Sequence, residues 1–179
     1  LWRIELSRNR VRKVIFATSG HRWFVRGRKS ATTTCQLLPG HRLESAFPAC
    51  QSGLRLDPDG VRHGIVFGDG TLYKETYGTI NLHGEKDEQL ADWFPDQRQK
   101  PCERDGAKKF LRIYGGKAFG HMKRLPQCDV SDAYLFGFLA GYFAADGHVA
   151  KDGTVILNSA NAENLEVVRD IATRLGIGT

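Results

Sequence analysis

Two apolar segments of this 179-residue chain carry a small residue at every fourth position and end in an Asp-Gly pair. The small residues are Gly60, Gly64 and Gly68 in the first segment and Gly137, Gly141 and Ala145 in the second. Positions spaced by four lie on one face of a helix, so each segment predicts a helix with a smooth stripe. Because glycine inside a helix costs about 1 kcal/mol relative to alanine, we expect the two stripes to pack against each other.

The flanking residues predict where both helices begin and end. Asp57 precedes a proline and Ser131 precedes an apolar run, and both residue types are typical helix N-caps. The Asp-Gly pairs at Asp69 and Asp146 mark the ends. If the stripes pack along their length, the two aspartates are expected to lie side by side at one end of a pseudo-twofold axis.

An internal duplication is expected, because residues 78–90 align without gaps on residues 153–165. Each copy reads helix, Asp-Gly turn, strand pair and helix. We expect the first repeat over about residues 57–130. The second repeat is expected to begin at residue 131 and to be incomplete.

The first part of the chain has a different character. Residues 2–6 alternate apolar and polar side chains and residues 11–16 are rich in β-branched ones, with a turn between them, which predicts a hairpin. Residues 1–50 carry a net charge of +8 and residues 51–179 a net charge of −2. We therefore expect an α+β protein, with an all-β module over residues 1–50 followed by a helix-and-strand domain over residues 51–179.

Paired aspartates indicate metal chemistry. Two adjacent carboxylates repel each other unless they share a proton or a cation, and hard divalent cations such as Mg²⁺ or Mn²⁺ prefer oxygen ligands. Asp69 and Asp146 are the predicted ligands of a metal that binds a phosphodiester. Lys123 is expected to activate a water or to neutralise charge on the scissile phosphate.

A basic segment surrounds that lysine. Residues 98–124 hold nine Lys and Arg against two acids, which is typical of a phosphate-contacting surface. The residues expected to contact nucleic acid are Arg98, Lys100, Lys108, Lys109, Arg112, Lys117 and Arg124. The polar residues 85–106 are interpreted as a connector or a DNA-facing insertion.

The second helix ends in Leu-Ala-Gly-Tyr-Phe-Ala-Ala-Asp-Gly over residues 139–147, which resembles the motif that names the LAGLIDADG homing endonucleases. Residues 63–70 resemble its more diverged partner, and residues 123–126 resemble the Lys-x-x-Pro block of intein endonuclease domains. The resemblance implies a pseudo-twofold αββαββα domain whose saddle of strands binds double-stranded DNA. It also implies that Asp69 and Asp146 bind the Mg²⁺ or Mn²⁺ ions and that Lys123 is catalytic.

Residues 14–21 resemble the Thr-x-x-His block of the intein splicing (Hint) fold. That resemblance implies that Thr18 and His21 activate the peptide bond at the N-terminal splice junction. No nucleophile opens the chain and no His-Asn pair closes it. We therefore expect the middle of an intein with both ends missing, and a host (extein) protein as its flanking partner, commonly a replication protein, including those of phages.

Two alternatives stay open. One is a catalytically inactive LAGLIDADG protein that binds DNA or acts as an RNA maturase. The other is a purely structural domain, in which Asp69 and Asp146 are turn residues that lie far apart. No apolar run reaches the length of a membrane span, and the four irregularly spaced cysteines favour a reducing compartment. We expect a cytoplasmic monomer that binds no membrane.

Overall fold

A computed structural model describes residues 1–8, 11–44, 53–104, 108–127 and 129–177. The chain divides into two compact units, Leu1–Ala46 and Phe47–Thr179. Among the described residues, no helix combines the length and the apolar character that crossing a bilayer requires. The mixed α+β class expected from the sequence is confirmed, since strands make up the first unit and helices and strands the second.

The first unit is built from two small antiparallel pairs. Strand β1 (Trp2–Arg8) pairs along its whole length with β2 (Val11–Ala17), which confirms the expected hairpin. Strand β3 (Arg22–Trp23) pairs with β4 (Thr32–Thr33), and a short 3-10 turn follows at Thr34–Gln36.

The first repeat of the second unit covers one helix with a four-stranded sheet. Helix α1 (Pro58–Asp69) precedes β5 (Gly70–Tyr73) and β6 (Tyr77–Leu82), then the short helix α2 (Gly84–Glu88) and a 3-10 turn (Gln89–Trp93). Strands β7 (Arg98–Arg104) and β8 (Lys108–Gly115) and helix α3 (Gly116–Met122) follow. The sheet is antiparallel with the order β5-β6-β8-β7.

This topology corrects the interpretation of residues 85–106 as a mere connector. They contain α2, the 3-10 turn and edge strand β7, which pairs with β8 over seven residues. The Gln99 side chain ties the strand to the preceding turn, since its amide donates to the Phe94 carbonyl at 3.1 Å. The segment is therefore part of the sheet.

The second repeat contains α4 (Asp132–Asp146), β9 (Gly147–Val149), β10 (Val155–Leu157) and α5 (Ala162–Arg174). The predicted N-caps are confirmed: the Asp57 carboxylate accepts from the backbone of Asp59 and Gly60, and the Ser131 hydroxyl accepts from Tyr134. Both helices end at their Asp-Gly pairs, as expected.

The glycine stripes pack against each other as predicted. A Cβ placed on Gly64 lies 2.1 Å from the Phe138 carbonyl oxygen, and one placed on Gly141 lies 2.1 Å from the Val61 carbonyl oxygen. No side chain fits there, so the two backbones are in direct contact. An apolar core lies on each side of this helix pair. One core joins α1 to the sheet through buried side chains that include Ile65, Ile80 and Ile113, and the other joins α4 to α5.

The hairpin between β5 and β6 holds two strained residues. Lys74 and Glu75 have φ values of 51° and 57°. These values lie in the left-handed region, which residues other than glycine and asparagine seldom adopt. We expect Glu75→Gly to raise the free energy of unfolding by about 0.5 kcal/mol, because relief of strain exceeds the added entropy of the unfolded chain. Urea denaturation measures this change. Glu75→Ala keeps the strain and is the control; an equal gain in both variants would contradict the explanation.

Candidate active site and sheet surface

The two motif aspartates lie at the same end of the packed helices. Asp69 is the last residue of α1 and Asp146 the last residue of α4. A Cβ placed on Gly68 lies 3.2 Å from Asp146 Oδ2, so the Asp146 carboxylate rests against the last turn of α1. The structural alternative that placed these aspartates far apart therefore does not hold.

The surroundings of Asp69 disfavour its ionised form. Burial raises the pKa of Asp69 to about 6, and the negative charges of Asp146 and Asp87 act in the same direction. Burial also raises the pKa of Asp146, against the opposing charge of Lys123. No sequence pattern pointed to Asp87, which lies on α2 and acts on Asp69 through its charge. A nearby cation would relieve the repulsion between these carboxylates.

Lys123 lies beside this carboxylate pair, 54 residues after Asp69 in the chain. Its ammonium donates hydrogen bonds to the carbonyls of Phe67 and Gly68, the latter at 2.9 Å. These carbonyls belong to the last turn of α1, where a cation is favoured by the helix dipole. Burial lowers the pKa of Lys123, and the charges of Asp146 and Asp69 oppose that shift. The structure thus brings together the three side chains for which the sequence predicts nuclease chemistry.

The carboxylates are suited to a hard cation, although they are few. Among the described residues, no group of three or more His, Cys, Asp or Glu side chains surrounds a common point. A divalent ion bound by Asp69 and Asp146 would therefore need water and phosphate oxygens as its remaining ligands, which is the arrangement typical of Mg²⁺.

The sheet presents a basic and aromatic surface on the side opposite its apolar core. Ile80, Leu82 and Ile113 face the core, so the alternate positions of β6 and β8 face outwards. Strand register aligns Lys100 of β7 with Arg112 of β8, and Arg112 with Asn81 of β6. Three predicted DNA-contacting residues therefore share one face: Arg98, Lys100 and Arg112.

The Arg112 side chain contacts both a neighbouring polar side chain and an aromatic ring. Its Nε donates to Asn81 Oδ1 at 2.8 Å, and its guanidinium lies 5.2 Å from the centre of the Phe110 ring. These contacts orient the guanidinium. A groove of about 490 Å³ runs along this face. It is lined by Thr71, Leu72, Tyr73, Tyr77, Gly78, Thr79, Asn81, Arg112, Tyr114 and Gly116.

Three other predicted DNA-contacting residues, Lys109, Lys117 and Arg124, are not part of this outward row of Arg98, Lys100 and Arg112. Lys109 is on the opposite side of β8 from Arg112, where its Nζ lies 3.8 Å from Glu103 Oε1, and its DNA contact stays a prediction. Lys117 is exposed on α3, and Arg124 is exposed just beyond it. The side chain of Lys108 lies outside the described residues.

In the first unit, Thr18 and His21 lie in one turn directly after β2. The His21 backbone N–H donates to the Thr18 carbonyl at 3.2 Å. The His21 ring packs against Trp23, with 4.6 Å between the ring centres, and both predicted splicing residues are exposed. The turn brings them together, and their proposed roles stay a prediction.

One buried polar residue was missed by the reasoning from sequence. His63 of α1 is only 7% exposed and is hydrogen-bonded through both ring nitrogens. The available signal was a histidine within an apolar helical segment. Such a residue is expected to be buried, and a buried imidazole needs hydrogen-bond partners.

Comparison with known protein families finds a match in the C-terminal part of the chain. Residues 133–179 match the family model of the LAGLIDADG-like domain, and the match includes α5 and all of α4 but its first residue, with Asp146. The chain thus contains a segment similar to that domain. No curated protein matches the chain.

Several solved structures resemble the chain at low identity. Mesophilic variants of the homing endonuclease I-DmoI are 16% identical over 66% of this chain and 76% of theirs, with a TM-score of 0.49. The complex of I-DmoI with DNA and Mn is 17% identical over 67% of this chain and 80% of that one, with a TM-score of 0.44. Full-length DUF199/WhiA from Thermatoga maritima is 16% identical over 64% of this chain and 43% of that one, with a TM-score of 0.48.

Proposed function

We propose that the second unit is a LAGLIDADG-type endonuclease that cleaves double-stranded DNA at a specific site with a divalent metal, Mg²⁺ or Mn²⁺. The observation that carries this proposal is the juxtaposition of Asp69, Asp146 and Lys123 at the end of the packed helices. The match of residues 133–179 to the LAGLIDADG-like domain supports it.

The chemistry of the site fits phosphodiester hydrolysis. When bound, the metal supplies a Lewis acid for the phosphate and a more acidic water. The protein's own contribution is to hold two carboxylates close together, with their charges incompletely balanced by Lys123. Lys123, whose pKa burial lowers, is placed to move a proton or to stabilise negative charge on the phosphate.

The outward face of the sheet is the proposed DNA surface. Arg98, Lys100 and Arg112 supply positive charge, and antiparallel strands can enter the major groove. An oriented guanidinium such as that of Arg112 suits bidentate recognition of guanine, whereas mobile lysines suit phosphates. The surface therefore combines features for sequence reading with features for general affinity.

The proposal is tested with a plasmid library that carries a randomised cassette. The protein is incubated with the library and Mg²⁺ or Mn²⁺, and newly formed DNA ends are captured and sequenced. We expect ends at one recurrent sequence for the wild type and none for Asp146→Asn. If the protein binds the DNA but leaves it uncut with either metal, the result would instead support the inactive DNA-binding alternative. Preferential binding of structured RNA would support the maturase alternative.

A matched pair of variants tests the DNA surface. Arg112→Ala should weaken binding to the recovered duplex by at least about fivefold. Lys109→Ala, on the opposite face of the same strand, should leave this binding unchanged. Both substitutions remove one positive charge, so a general loss of electrostatic attraction affects them equally. Equal weakening by the two variants would place the DNA elsewhere.

We further propose, as the finer part of the assignment, that the first unit is an intein splicing module in a cytoplasmic protein with an extein partner. The Thr18–His21 turn after β2 supports this proposal, together with the all-β character of the unit. The test is to express the precursor with its flanking sequence and to follow ligation of the flanks by mass spectrometry. Splicing that persists in His21→Ala would overturn the assigned role.

A further inference from the structure

His63 is buried between the two packed helices and makes two short hydrogen bonds. Its Nε2 lies 2.8 Å from the Arg124 carbonyl oxygen, and its Nδ1 lies 2.8 Å from the Tyr134 hydroxyl. The ring also packs edge-on against Phe138, with 5.1 Å between the ring centres. None of the proposed catalytic steps uses this residue, so its place in an apolar interface calls for another role.

The partners determine where the imidazole proton is. A carbonyl can only accept, so Nε2 carries the proton and donates to Arg124. Nδ1 is then the acceptor for the Tyr134 hydroxyl. Burial lowers the pKa of His63 and raises the pKa of Tyr134, which favours the neutral form of both groups. A single neutral tautomer thus satisfies both hydrogen bonds.

The hydrogen bond to Arg124 acts on the backbone next to Lys123. The Lys123 backbone N–H donates to the Phe119 carbonyl at 3.1 Å, so the Lys123 backbone is hydrogen-bonded to the last turn of α3. Its ammonium reaches the carbonyls of Phe67 and Gly68, one turn beyond His63 on α1. Helix α1 therefore holds Lys123 at two points: the adjoining backbone through His63, and the ammonium through the last turn.

We propose that His63 is a positioning residue, which holds the backbone at Lys123 so that its ammonium stays beside Asp69 and Asp146. The inference rests on the proposed function insofar as it concerns cleavage. A displacement of about 1 Å in a positioned group can cost about 100-fold in rate, which is the scale expected for a lost tether. Tyr134 contributes indirectly, because its hydroxyl selects the tautomer that donates to Arg124.

Three variants separate positioning from packing. His63→Leu fills a similar space and has no donor, whereas the amide N–H of His63→Gln can donate to the Arg124 carbonyl. Tyr134→Phe leaves the imidazole in place and removes only the partner of Nδ1. We expect single-turnover cleavage to fall at least about tenfold in His63→Leu with DNA affinity unchanged, to recover largely in His63→Gln, and to fall a few-fold in Tyr134→Phe.

A second measurement does not depend on cleavage. Lys123 is labelled with an amine-reactive reagent and the labelled fraction is followed by peptide mass spectrometry. We expect faster labelling in His63→Leu and Tyr134→Phe than in the wild type, and wild-type labelling in His63→Gln. Val168→Ala, which weakens the separate core between α4 and α5, controls for a general loss of stability and should leave Lys123 labelling unchanged under folding conditions.

Wild-type cleavage and labelling in a folded His63→Leu variant would overturn the proposal, and so would a folded His63→Gln variant that recovers neither. If His63→Leu does not fold, the other two variants test the proposal. Lys123 must then stay protected from labelling in His63→Gln and become more accessible in Tyr134→Phe; any other result overturns the proposal. If the wild type cleaves no DNA, the proposed function fails, while the labelling results still test the tether.

Discussion

Asp69→Asn is expected to abolish DNA cleavage and to stabilise the folded protein at neutral pH. The loss of rate should be at least about 1000-fold, because the amide is a poor ligand for a hard cation. The gain in stability follows from the pKa of about 6 for Asp69. Since the folded state holds the proton more tightly than the unfolded chain, ionisation of Asp69 costs stability as the pH rises from about 4 to above 6.

The expected gain in the free energy of unfolding is about 1 kcal/mol at neutral pH, once solvent screening of a half-buried carboxylate is allowed for. It should vanish below about pH 3, where the wild-type carboxyl is protonated in both the folded and the unfolded state. Urea denaturation across this pH range measures it. Mg²⁺ should stabilise the wild type and have little effect on Asp69→Asn, because only a ligand that binds the folded state shifts the equilibrium.

Asp170→Asn is the matched control, since it makes the same chemical change on an exposed position of α5. It should leave cleavage and the pH dependence of stability unchanged. A folded Asp69→Asn variant that cleaves at the wild-type rate would remove Asp69 from the metal site.

Gly64→Ala should produce the largest loss of stability of any single methyl addition in the helix pair. Its Cβ would lie 2.1 Å from the Phe138 carbonyl oxygen and 2.4 Å from the Tyr142 amide nitrogen. Both are backbone atoms that cannot turn aside, so the helices must separate. Alanine gains about 1 kcal/mol in helix propensity, but overpacking against backbone costs about 3 kcal/mol or more. Thermal unfolding followed by circular dichroism should show a strongly lowered midpoint.

Separation of the helices should also abolish cleavage, because Asp69 and Asp146 are carried on opposite sides of the contact. Gly20→Ala is the control: a Cβ at that position meets no atom within 4 Å and its φ is not positive. The two substitutions add the same methyl group in different surroundings. If Gly64→Ala unfolded at the wild-type midpoint, the close approach of α1 and α4 would be wrong.

The helices and their contact were accessible from the sequence for a local reason. Caps at Asp57 and Ser131 and the spacing of the glycines report on hydrogen bonds and distances within a few residues. The pairing of the stripes also followed, because so many helical glycines are unfavourable unless two backbones meet. Asp69 and Asp146 could then be expected together, since each terminates its own striped helix.

The sheet was less accessible because its pairing is not local. Residues 85–106 are polar and contain prolines, so their composition resembled a loop, and only pairing with β8 makes Arg98–Arg104 a strand. The face occupied by each basic residue depends on that register. Lys109 and Arg112 are three positions apart on β8, an odd spacing that puts them on opposite faces, although both belong to the same basic segment.

By itself, the sequence determined the helix ends, the glycine contact and the identity of the two aspartates, because these follow from local spacing and from the size of side chains. Only the tertiary structure decided which basic residues share a surface, that Asp87 approaches Asp69, and that His63 connects α1 to the backbone beside Lys123. These relations join residues far apart in the chain. They depend on strand register and on burial, which no short stretch of sequence encodes.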